Sequence, residues 1–281
     1  MTAAPPADLL DWLRAAGLDP SGLVHHPKPG PPRPVLHYRI AGTVVDVATS
    51  AAGRNLLALE VRGRRWAQGL GVGTAQLLGQ GPDWLVSTVV ETSPGQGSAY
   101  LAAAAEAADR IAAAASPAAV LTASTWRGNR LTLPLRLLRQ LAGGLPLPLW
   151  HRARAAAARL ALHGPAHGDF YPRNALWTGD RLAVVDWEFL GPAPYGTDLL
   201  RLWSTLHRPQ DRAEILELLL SRTPASARAE LGTLALYLGL RLLGENLAAA
   251  DRLRDQRDLA HARVVAVEAR GVARRLGSPA G

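Results

Sequence analysis

The chain has 281 residues, of which 48% are hydrophobic and 19% are charged, and this composition excludes a wholly disordered protein. It carries 31 basic and 23 acidic side chains, so its formal net charge is +8. Cysteine is absent, which excludes disulfides, thiolate metal ligands and cysteine nucleophiles. Apart from Lys28, these basic residues are arginines. They are scattered rather than clustered, so the sequence does not favour a nucleic-acid-binding surface.

Neither the first residues nor the apolar segments indicate export or a membrane span. Residues 1–17 lack the basic start and the apolar run of a secretory signal. The longest apolar stretch, residues 231–240, is interrupted by Gly232 and Thr233 and is too short to cross a bilayer. We therefore expect a soluble cytoplasmic protein without a membrane partner.

The first third of the chain is predicted to be rich in strands. A short capped helix is predicted at residues 8–16, and a stiff proline-rich connector follows at 27–34. Segments rich in branched and aromatic residues then alternate with Gly, Pro, Asp or Ala-Gly turns. They predict strands at residues 35–40, 43–50, 55–61, 64–70, 74–79 and 83–90. Because strand follows strand without a long helix between them, an antiparallel sheet is favoured.

From residue 98 onward the pattern is mainly helical. Helices are predicted at residues 98–115, 134–142, 147–162, 197–206, 211–221, 226–243 and 245–275. One strand-like segment, residues 174–187, interrupts them. We therefore predict an α+β fold in two regions. A small β-rich region spans residues 1–91, a larger helical region spans residues 92–281, and a ligand-binding cleft lies between them.

Residues 174–187 have the pattern of a β-hairpin with a Gly-Asp turn at residues 179–180. If the two residues flanking this turn face each other, the register pairs 177 with 182, 176 with 183, 175 with 184 and 174 with 185. Asp186 then lies one step beyond the partner of Asn174. Asp169 lies on the loop that enters the hairpin, so the spacing predicts that three oxygen-bearing side chains converge.

Two hard oxygen ligands beside a further carboxylate suit Mg²⁺, which keeps several waters and shares phosphate oxygens with a nucleotide. Asn174 and Asp186 would bind the metal, and Asp169 would accept a proton from an attacking hydroxyl. Protein kinases divide phosphoryl transfer among a loop Asp, an Asn and a later Asp in this way. The pattern therefore predicts Mg²⁺-dependent transfer of the γ-phosphoryl group of ATP or GTP to a hydroxyl.

Three segments carry a family resemblance: HGDFYPRN at residues 167–174, VVDWEF at 184–189 and PYGTDLLRLW at 194–203. Together they resemble the aminoglycoside phosphotransferase and choline kinase superfamily of small-molecule kinases. The likeness is close over residues 163–203 and loose over the rest. It implies a bilobal protein-kinase-like fold.

The resemblance also implies a role for each matching residue. Asp169 is expected to be the catalytic base, and Asn174 and Asp186 are expected to be the metal ligands. Asp198 is expected to brace the catalytic loop, while His167 is expected to have a structural part in holding it. Because Asp198 stands at the start of a predicted helix, an ordinary capping role explains it equally well.

In the first region, the resemblance implies a Gly-rich phosphate-binding loop and a hinge that contacts the nucleotide base. The best local match to the loop is Ala52-Gly53-Arg54-Asn55, of which Gly53, Arg54 and Asn55 would contact the nucleotide, and residues 56–61 would form the strand that follows. The hinge is expected at residues 88–92, where Thr88 and Val90 would present backbone groups to the adenine or guanine edge.

The family's small lobe also normally supplies a strand lysine for the phosphates and a helix whose glutamate orients that lysine. In one register the lysine position falls at Gln68 or Gly69, and in a second register it falls at Glu60. Neither register provides a lysine, because the only one is Lys28 in the connector. Residues 70–74 leave no room for the orienting helix.

Two interpretations of this deficit stay open. An arginine replaces the lysine at the α- and β-phosphates, since guanidinium binds phosphate through paired donors. The candidates are Arg39, Arg54, Arg62, Arg64 and Arg65. Alternatively, the protein is a pseudokinase or nucleotide-binding module without turnover.

The acceptor is expected to be a small-molecule hydroxyl: an aminoglycoside-like antibiotic, a sugar, an amino alcohol or a related metabolite. Acidic and basic residues are interleaved at 241–258, a pattern typical of a solvated helix face. This pattern does not favour one of these acceptors over the others. The sequence does not indicate an oligomeric state.

Overall fold

A computed structural model describes residues 5–26, 34–93, 95, 97–115, 140, 142–249 and 255–280 of the chain. By its internal contacts the chain divides into two compact units. The first comprises Met1–Pro94 and Asn174–Leu190, and the second comprises Gly95–Arg173 and Gly191–Gly281. The prediction of an α+β fold with a small antiparallel sheet and a larger helical region is confirmed.

The helices and strands are numbered in chain order. Up to residue 93 they are α1 (Ala7–Ala15), β1 (Val24–His25), β2 (Val35–Ile40), β3 (Thr43–Ala48), α2 (Ala51–Gly69), β4 (Leu77–Gln80) and β5 (Trp84–Thr88). From residue 97 onward they are α3 (Ser98–Ala113), α4 (Leu147–Ala157), β6 (Gly164–Ala166), β7 (Ala175–Trp177), β8 (Leu182–Val184), β9 (Gly191–Ala193), α5 (Thr197–Thr205), α6 (Pro209–Arg222), α7 (Arg228–Ala249) and α8 (Asp255–Arg275). A short 3₁₀ helix, Trp187–Phe189, follows β8.

The sheet of the first unit is antiparallel, with the strand order β1-β2-β3-β5-β4. A two-residue turn, Ala41 and Gly42, joins β2 to β3, and both residues have positive φ angles, 42° and 74°. These angles match a tight hairpin turn, whose twist fits that of the flanking strands. The strands predicted on either side of this turn, and those predicted at 74–79 and 83–90, are confirmed in type.

The two faces of this sheet pack against different helices because side chains alternate along each strand. One face carries a core shared with α1, made of Leu9, Leu13, Tyr38, Ile40, Val45, Val47, Trp84 and Val86. The other face carries a core shared with α2, made of Val35, Leu57, Val61 and Leu85. On the α2 side, His37 and Asp46 alternate with the residues of the first core, and both line a cavity on this face.

Helix α2 takes the place of two predicted strands. The strand predictions at 55–61 and 64–70 are wrong, because residues 51–69 form a single helix. Its first turn is capped by Ser50, whose Oγ accepts a hydrogen bond from the N–H of Gly53 at 3.2 Å.

The helical period of α2 was hidden by charge on its buried face. Leu57 and Val61 are buried at helical spacing, but so are Glu60 and Arg64. Because charged residues stand where an amphipathic helix normally has apolar ones, the apolar period of α2 is not visible in the sequence. Residues 70–74 contain no helix, as predicted, and the long helix of this region, α2, precedes them.

The hairpin of β7 and β8 has the predicted register. The pairs are Ala175 with Val184, Leu176 with Ala183 and Trp177 with Leu182. Beyond them, the N–H of Val185 donates to the backbone carbonyl of Asn174 at 2.9 Å. This prediction is confirmed because a Gly-Asp turn and the flanking alternation are local signals.

The hairpin belongs to the first unit, whereas the sequence placed it in the region from residue 92 onward. The N–H of Val184 donates to the carbonyl of Gly73 at 2.7 Å, and the N–H of Ser93 donates to the carbonyl of Trp177 at 2.9 Å. These backbone bonds tie the hairpin to residues 70–93. They are non-local in sequence, which explains why the pattern of residues did not indicate them.

The second unit consists mainly of α3 to α8, which correspond to the helices predicted from residue 98 onward. The helix predicted at 134–142 lies almost wholly outside the described residues. The strands β6 and β9 pair with each other and were not predicted. Both have the sequence Gly-Pro-Ala, whose residues are poor strand formers, so no local signal marked them.

Gly63 sets how closely α2 approaches the 3₁₀ helix after the hairpin. A Cβ at Gly63 would lie 2.5 Å from the Cβ of Trp187, a fully buried side chain. We expect Gly63→Ala to lower the free energy of unfolding by about 1–3 kcal/mol, because the added methyl overpacks this contact. Thermal or denaturant unfolding measures it.

Gly69→Ala is the matched control, because a Cβ there meets no described atom within 4 Å. This substitution should be neutral or slightly stabilising, since alanine favours a helix over glycine. Equal stability of the two variants would contradict the close packing at Gly63.

Candidate active site

One carboxylate holds the backbone of the loop at residues 167–173. Asp198, in the first turn of α5, accepts hydrogen bonds from the N–H of His167 at 2.8 Å and from the N–H of Gly168 at 3.0 Å. Gly168 has a φ of 83°, where a side chain would be strained, so glycine suits this turn. The loop is thereby fixed to the start of α5, although about 30 residues of chain separate them.

Asp198 is 5% exposed, and each of its oxygens binds one backbone donor of the loop. Burial raises the pKa of Asp198, while His167 and the two N–H groups act in the opposite direction. A neutral replacement would leave a buried donor unsatisfied, which is costly. These contacts are the ones that the predicted brace requires.

Asp169 contacts an arginine that the sequence did not single out. The Nε and Nη2 of Arg201 donate to Oδ1 of Asp169, at 3.3 and 3.1 Å. The two side chains are 23% and 13% exposed, for Asp169 and Arg201 respectively, so the pair is shielded from bulk water. The arginine therefore fixes the direction of the carboxylate that is predicted to be the base.

Arg201 continues into a chain of alternating charges within the second unit. Its Nη1 lies 4.0 Å from Oε2 of Glu245, and the other carboxylate oxygen of Glu245 accepts from Arg241 at 2.7 Å. Arg201 stands three residues after Asp198 and hence on the same face of α5. That spacing is the signal that could have identified it.

In the first unit, the hairpin brings Asn174 and Asp186 to its open end. Asn174 is 4% exposed, and its backbone carbonyl accepts a hydrogen bond from the backbone N–H of Val185, the neighbour of Asp186. Asp186 has φ 69° and ψ 55°, a left-handed conformation that costs a non-glycine residue about 1–2 kcal/mol. Strain of this kind concentrates at functional sites, so it marks Asp186 as a candidate.

Asp186 also lines a cavity of about 300 Å³ in the first unit. The charged or titratable residues of its lining are His37, Asp46, Glu60, Arg64, Asp186 and Glu188. His37 and Asp46, opposite each other on β2 and β3, form a hydrogen bond of 2.5 Å. The cavity is thus strongly acidic, although the whole chain is basic.

A buried ion pair forms one wall of this cavity. The Nε of Arg64 donates to Oε1 of Glu60 at 2.6 Å, one turn apart on α2, and both side chains are 7% exposed. Nη1 of Arg64 and Oε2 of Glu60 are buried and have no hydrogen-bond partner among the described residues. Burial raises the pKa of Glu60, and Arg64 partly offsets this effect.

The predicted Gly-rich loop is not a loop. Gly53, Arg54 and Asn55 lie in the first turns of α2, where a Cβ on Gly53 would collide with the carbonyl of Pro34. Glycine is therefore needed there for packing. Arg54 donates to Asp83 at the surface, at 3.0 Å. These three residues lack the loop conformation that the predicted phosphate contact requires.

Of the two predicted hinge residues, Thr88 already uses its amide within the sheet. Its N–H donates to the carbonyl of Gln76 at 3.0 Å, and its Oγ1 accepts from the N–H of Gln76 at 3.0 Å. Val90 lies beyond the end of β5. The amide of Thr88 is thus unsuited to contact a base edge, and the prediction for Val90 stays a prediction.

The predicted residues are divided between the two units. Asp169, His167 and Asp198 belong to the second unit, whereas Asn174 and Asp186 belong to the first. Within the part of the chain that the structure describes, no cluster of three or more His, Asp or Glu side chains is arranged to hold a metal ion. Any metal bound by Asn174 and Asp186 would need further ligands from water or substrate.

The fold is shared with solved small-molecule kinases. With the macrolide 2'-phosphotransferase MphH from Brachybacterium faecium the TM-score is 0.57 at 19% identity, over 93% of this chain and 97% of that chain. With the ADP-bound aminoglycoside phosphotransferase APH(2'')-Ib it is 0.58 at 11% identity, over 95% and 99%. With the amicoumacin kinase hAmiN, in complex with AMP-PNP, Ca²⁺ and Ami, it is 0.59 at 11% identity, over 94% of each chain. These likenesses show that the chain has the fold of these proteins.

The sequence itself carries the same assignment. Residues 7–231 match the model of the phosphotransferase enzyme family, APH. Since the match covers most of the chain, the protein belongs to this family, and the predicted resemblance is confirmed. A comparison with curated protein sequences finds no match. Among the helices that the structure describes, none is long and apolar enough to cross a membrane.

The contact between Arg201 and Asp169 predicts a positioning role for the arginine. We expect Arg201→Met to lower turnover about 10- to 100-fold, because a misdirected carboxylate loses much of its effect on a reaction. Nucleotide hydrolysis without added acceptor provides the readout. Stabilisation by nucleotide should be unchanged, which separates positioning from general damage to the fold.

Arg222→Met is the control, since Arg222 pairs with Asp109, elsewhere in the second unit. Arg201→Lys should restore part of the turnover, because a single ammonium keeps the charge but not the paired donors. Unchanged turnover in Arg201→Met would exclude the positioning role.

Proposed function

We propose that the protein transfers the γ-phosphoryl group of ATP or GTP to a hydroxyl of a small molecule. The observation that carries this proposal is the loop of Asp169, whose backbone is fixed by Asp198 and whose carboxylate is directed by Arg201. A carboxylate held in one direction on a rigid loop is what positioning of an attacking hydroxyl requires. Membership of the phosphotransferase family supports the same reaction.

In the proposed step, the acceptor oxygen forms a bond to the γ-phosphorus. The bond from that phosphorus to the β–γ bridging oxygen breaks, and the nucleoside diphosphate leaves. The hydroxyl proton passes to Asp169 and later to water. Asp169 orients the hydroxyl by accepting its hydrogen bond before the transfer, so positioning contributes beside proton transfer.

The residues at the open end of the hairpin fit Mg²⁺. Asn174 and Asp186 offer an amide oxygen and a carboxylate, both hard ligands, and they lie at the same end of the hairpin. When bound, the ion would neutralise charge on the phosphates. Two protein ligands leave coordination positions for water and phosphate oxygens, as expected of a metal that arrives with its nucleotide.

The surroundings of Asp169 favour an acceptor with few positive charges. Asp169 and Glu245 are each paired with an arginine, Arg201 and Arg241 respectively. A polycationic antibiotic needs unpaired carboxylates, so these two sites offer it little attraction. A neutral or anionic sugar or metabolite, or an amino alcohol with a single positive charge, fits the described residues better.

A nucleotide-and-metal thermal-shift panel tests the nucleotide site. Mg-ATP or Mg-GTP at about 100 times its Kd should raise the Tm of the wild type by about 5–10 °C, since ligand binding stabilises the folded state by mass action. Asp186→Asn should lose the Mg²⁺-dependent part of the shift. Asp180→Asn, at the exposed turn of the same hairpin, should keep it.

Absence of any nucleotide shift in the wild type would overturn the proposal. A shift that persists in Asp186→Asn would exclude Asp186 as a metal ligand.

Asp169→Asn tests the chemical step. Turnover should fall about 10²- to 10⁴-fold, because the amide cannot accept the proton. Nucleotide-dependent stabilisation should remain. Should the wild type bind Mg-nucleotide without turnover under all acceptors tried, and Asp169→Asn behave identically, the protein is a pseudokinase rather than a kinase.

A further inference from the structure

The cavity of the first unit is lined by acidic side chains, so a nucleotide could bind there only if a cation offset their negative charge. Four carboxylates line it, from Asp46, Glu60, Asp186 and Glu188. A triphosphate would be repelled by such a wall. Among the described lining residues, Arg64 is the one side chain that is charged positively at any physiological pH.

The strands that line this cavity contribute no arginine or lysine to it. Strand β2 contributes Val35 and His37, and β3 contributes Asp46, whose carboxylate is bonded to His37. A permanently charged protein cation for the site must therefore come from another element.

Arg64 meets this need from the helix. It is 6% exposed, and its Nε is fixed to Glu60, but its buried Nη1 has no partner among the described residues. An unsatisfied buried donor costs about 1–3 kcal/mol, so its persistence calls for a ligand that satisfies it. Because the guanidinium fork is planar, fixing Nε also orients the remaining donors.

The other candidate arginines are placed differently. Arg39, Arg54, Arg62 and Arg65 are all exposed. Arg54 bonds to Asp83, Arg62 to the carbonyl of Ala58 and Arg65 to Gln80. None of these four lines the cavity that contains Asp186.

We propose that Arg64, oriented by Glu60 on the same helix, is the phosphate-binding cation of the nucleotide site and takes the place of a strand lysine. The proposal rests on the proposed nucleotide-dependent function and specifies which residue makes it possible. The ligand is the α- or β-phosphate of a nucleoside di- or triphosphate, bound to the free face of the guanidinium.

A comparison of ligands that differ in phosphate content tests this proposal. Adenosine, ADP and ATP with Mg²⁺, or the guanosine series if GTP is preferred, are titrated in thermal-shift assays. In the wild type, ADP and ATP should bind more tightly than the nucleoside. Without Arg64 this preference should fall about 10- to 100-fold, as expected for a lost charged hydrogen bond, while nucleoside binding stays the same.

The variant must not leave Glu60 as an unpaired buried charge. The double variant Glu60→Gln with Arg64→Met therefore removes both charges together, which is tolerated better than removing one. Arg64→Lys keeps the charge and should retain part of the preference for phosphate. Arg65→Met, the exposed neighbour on α2, is the matched control and should behave as the wild type.

Lys28→Met is a further control, because Lys28 is the only lysine of the chain and lies outside the described residues. Loss of the phosphate preference in Lys28→Met, or its retention in the double variant, would overturn the assignment to Arg64. If the wild type shows no shift with any Mg-nucleotide, the proposed function itself fails. The two failures are therefore distinguishable.

Discussion

The carboxylate of Asp198 is the contact on which the second unit's part of the site depends. It binds the backbone N–H groups of His167 and Gly168 across about 30 residues of chain, and it does so while buried. One helical turn further along α5, Arg201 binds the carboxylate of Asp169. The start of a single helix thus holds both the backbone of the loop and the side chain that the loop presents. Catalysis by positioning needs this double restraint, because a loop fixed only at its backbone would leave Asp169 free to rotate.

How far the fold could be predicted depended on whether its signals were local. The β7–β8 hairpin followed from a Gly-Asp turn between alternating residues, and its register was correct in every pair. Helix α2 was mistaken for strands, because Glu60 and Arg64 occupy its buried face and conceal the apolar period. The pair β6–β9 left no trace in its two Gly-Pro-Ala segments, since its strands form only through contacts with each other. In the β6–β9 pair, tertiary contacts overrode the local preference of the residues.

The site residues also differ in whether local sequence signals could identify them. Asp169, Asn174 and Asp186 could be selected from spacing and family resemblance, because they stand in one short segment around the hairpin. Arg201 and Arg64 could not be selected in this way, because the contact of Arg201 with Asp169 and the burial of Arg64 beside the cavity both depend on the fold. Arg64 was one of five candidate arginines, and only burial beside Asp186 separates it from the other four. Sequence spacing therefore identified the candidates that lie close together in the chain, but not those that only the fold singles out.

The placement of Glu60 and Arg64 on one helix has a mechanical consequence. In protein kinases the phosphate-binding lysine and its glutamate come from a strand and a helix, so the ion pair breaks when the helix moves away. Here both partners are one turn apart on α2, and no shift of the helix against the sheet separates them. Such a buried pair is often less stabilising than two apolar residues of similar size would be, so stability alone does not explain its presence. Gly63 packs α2 against Trp187, the neighbour of Asp186 in sequence, so this contact sets where the ion pair lies relative to Asp186.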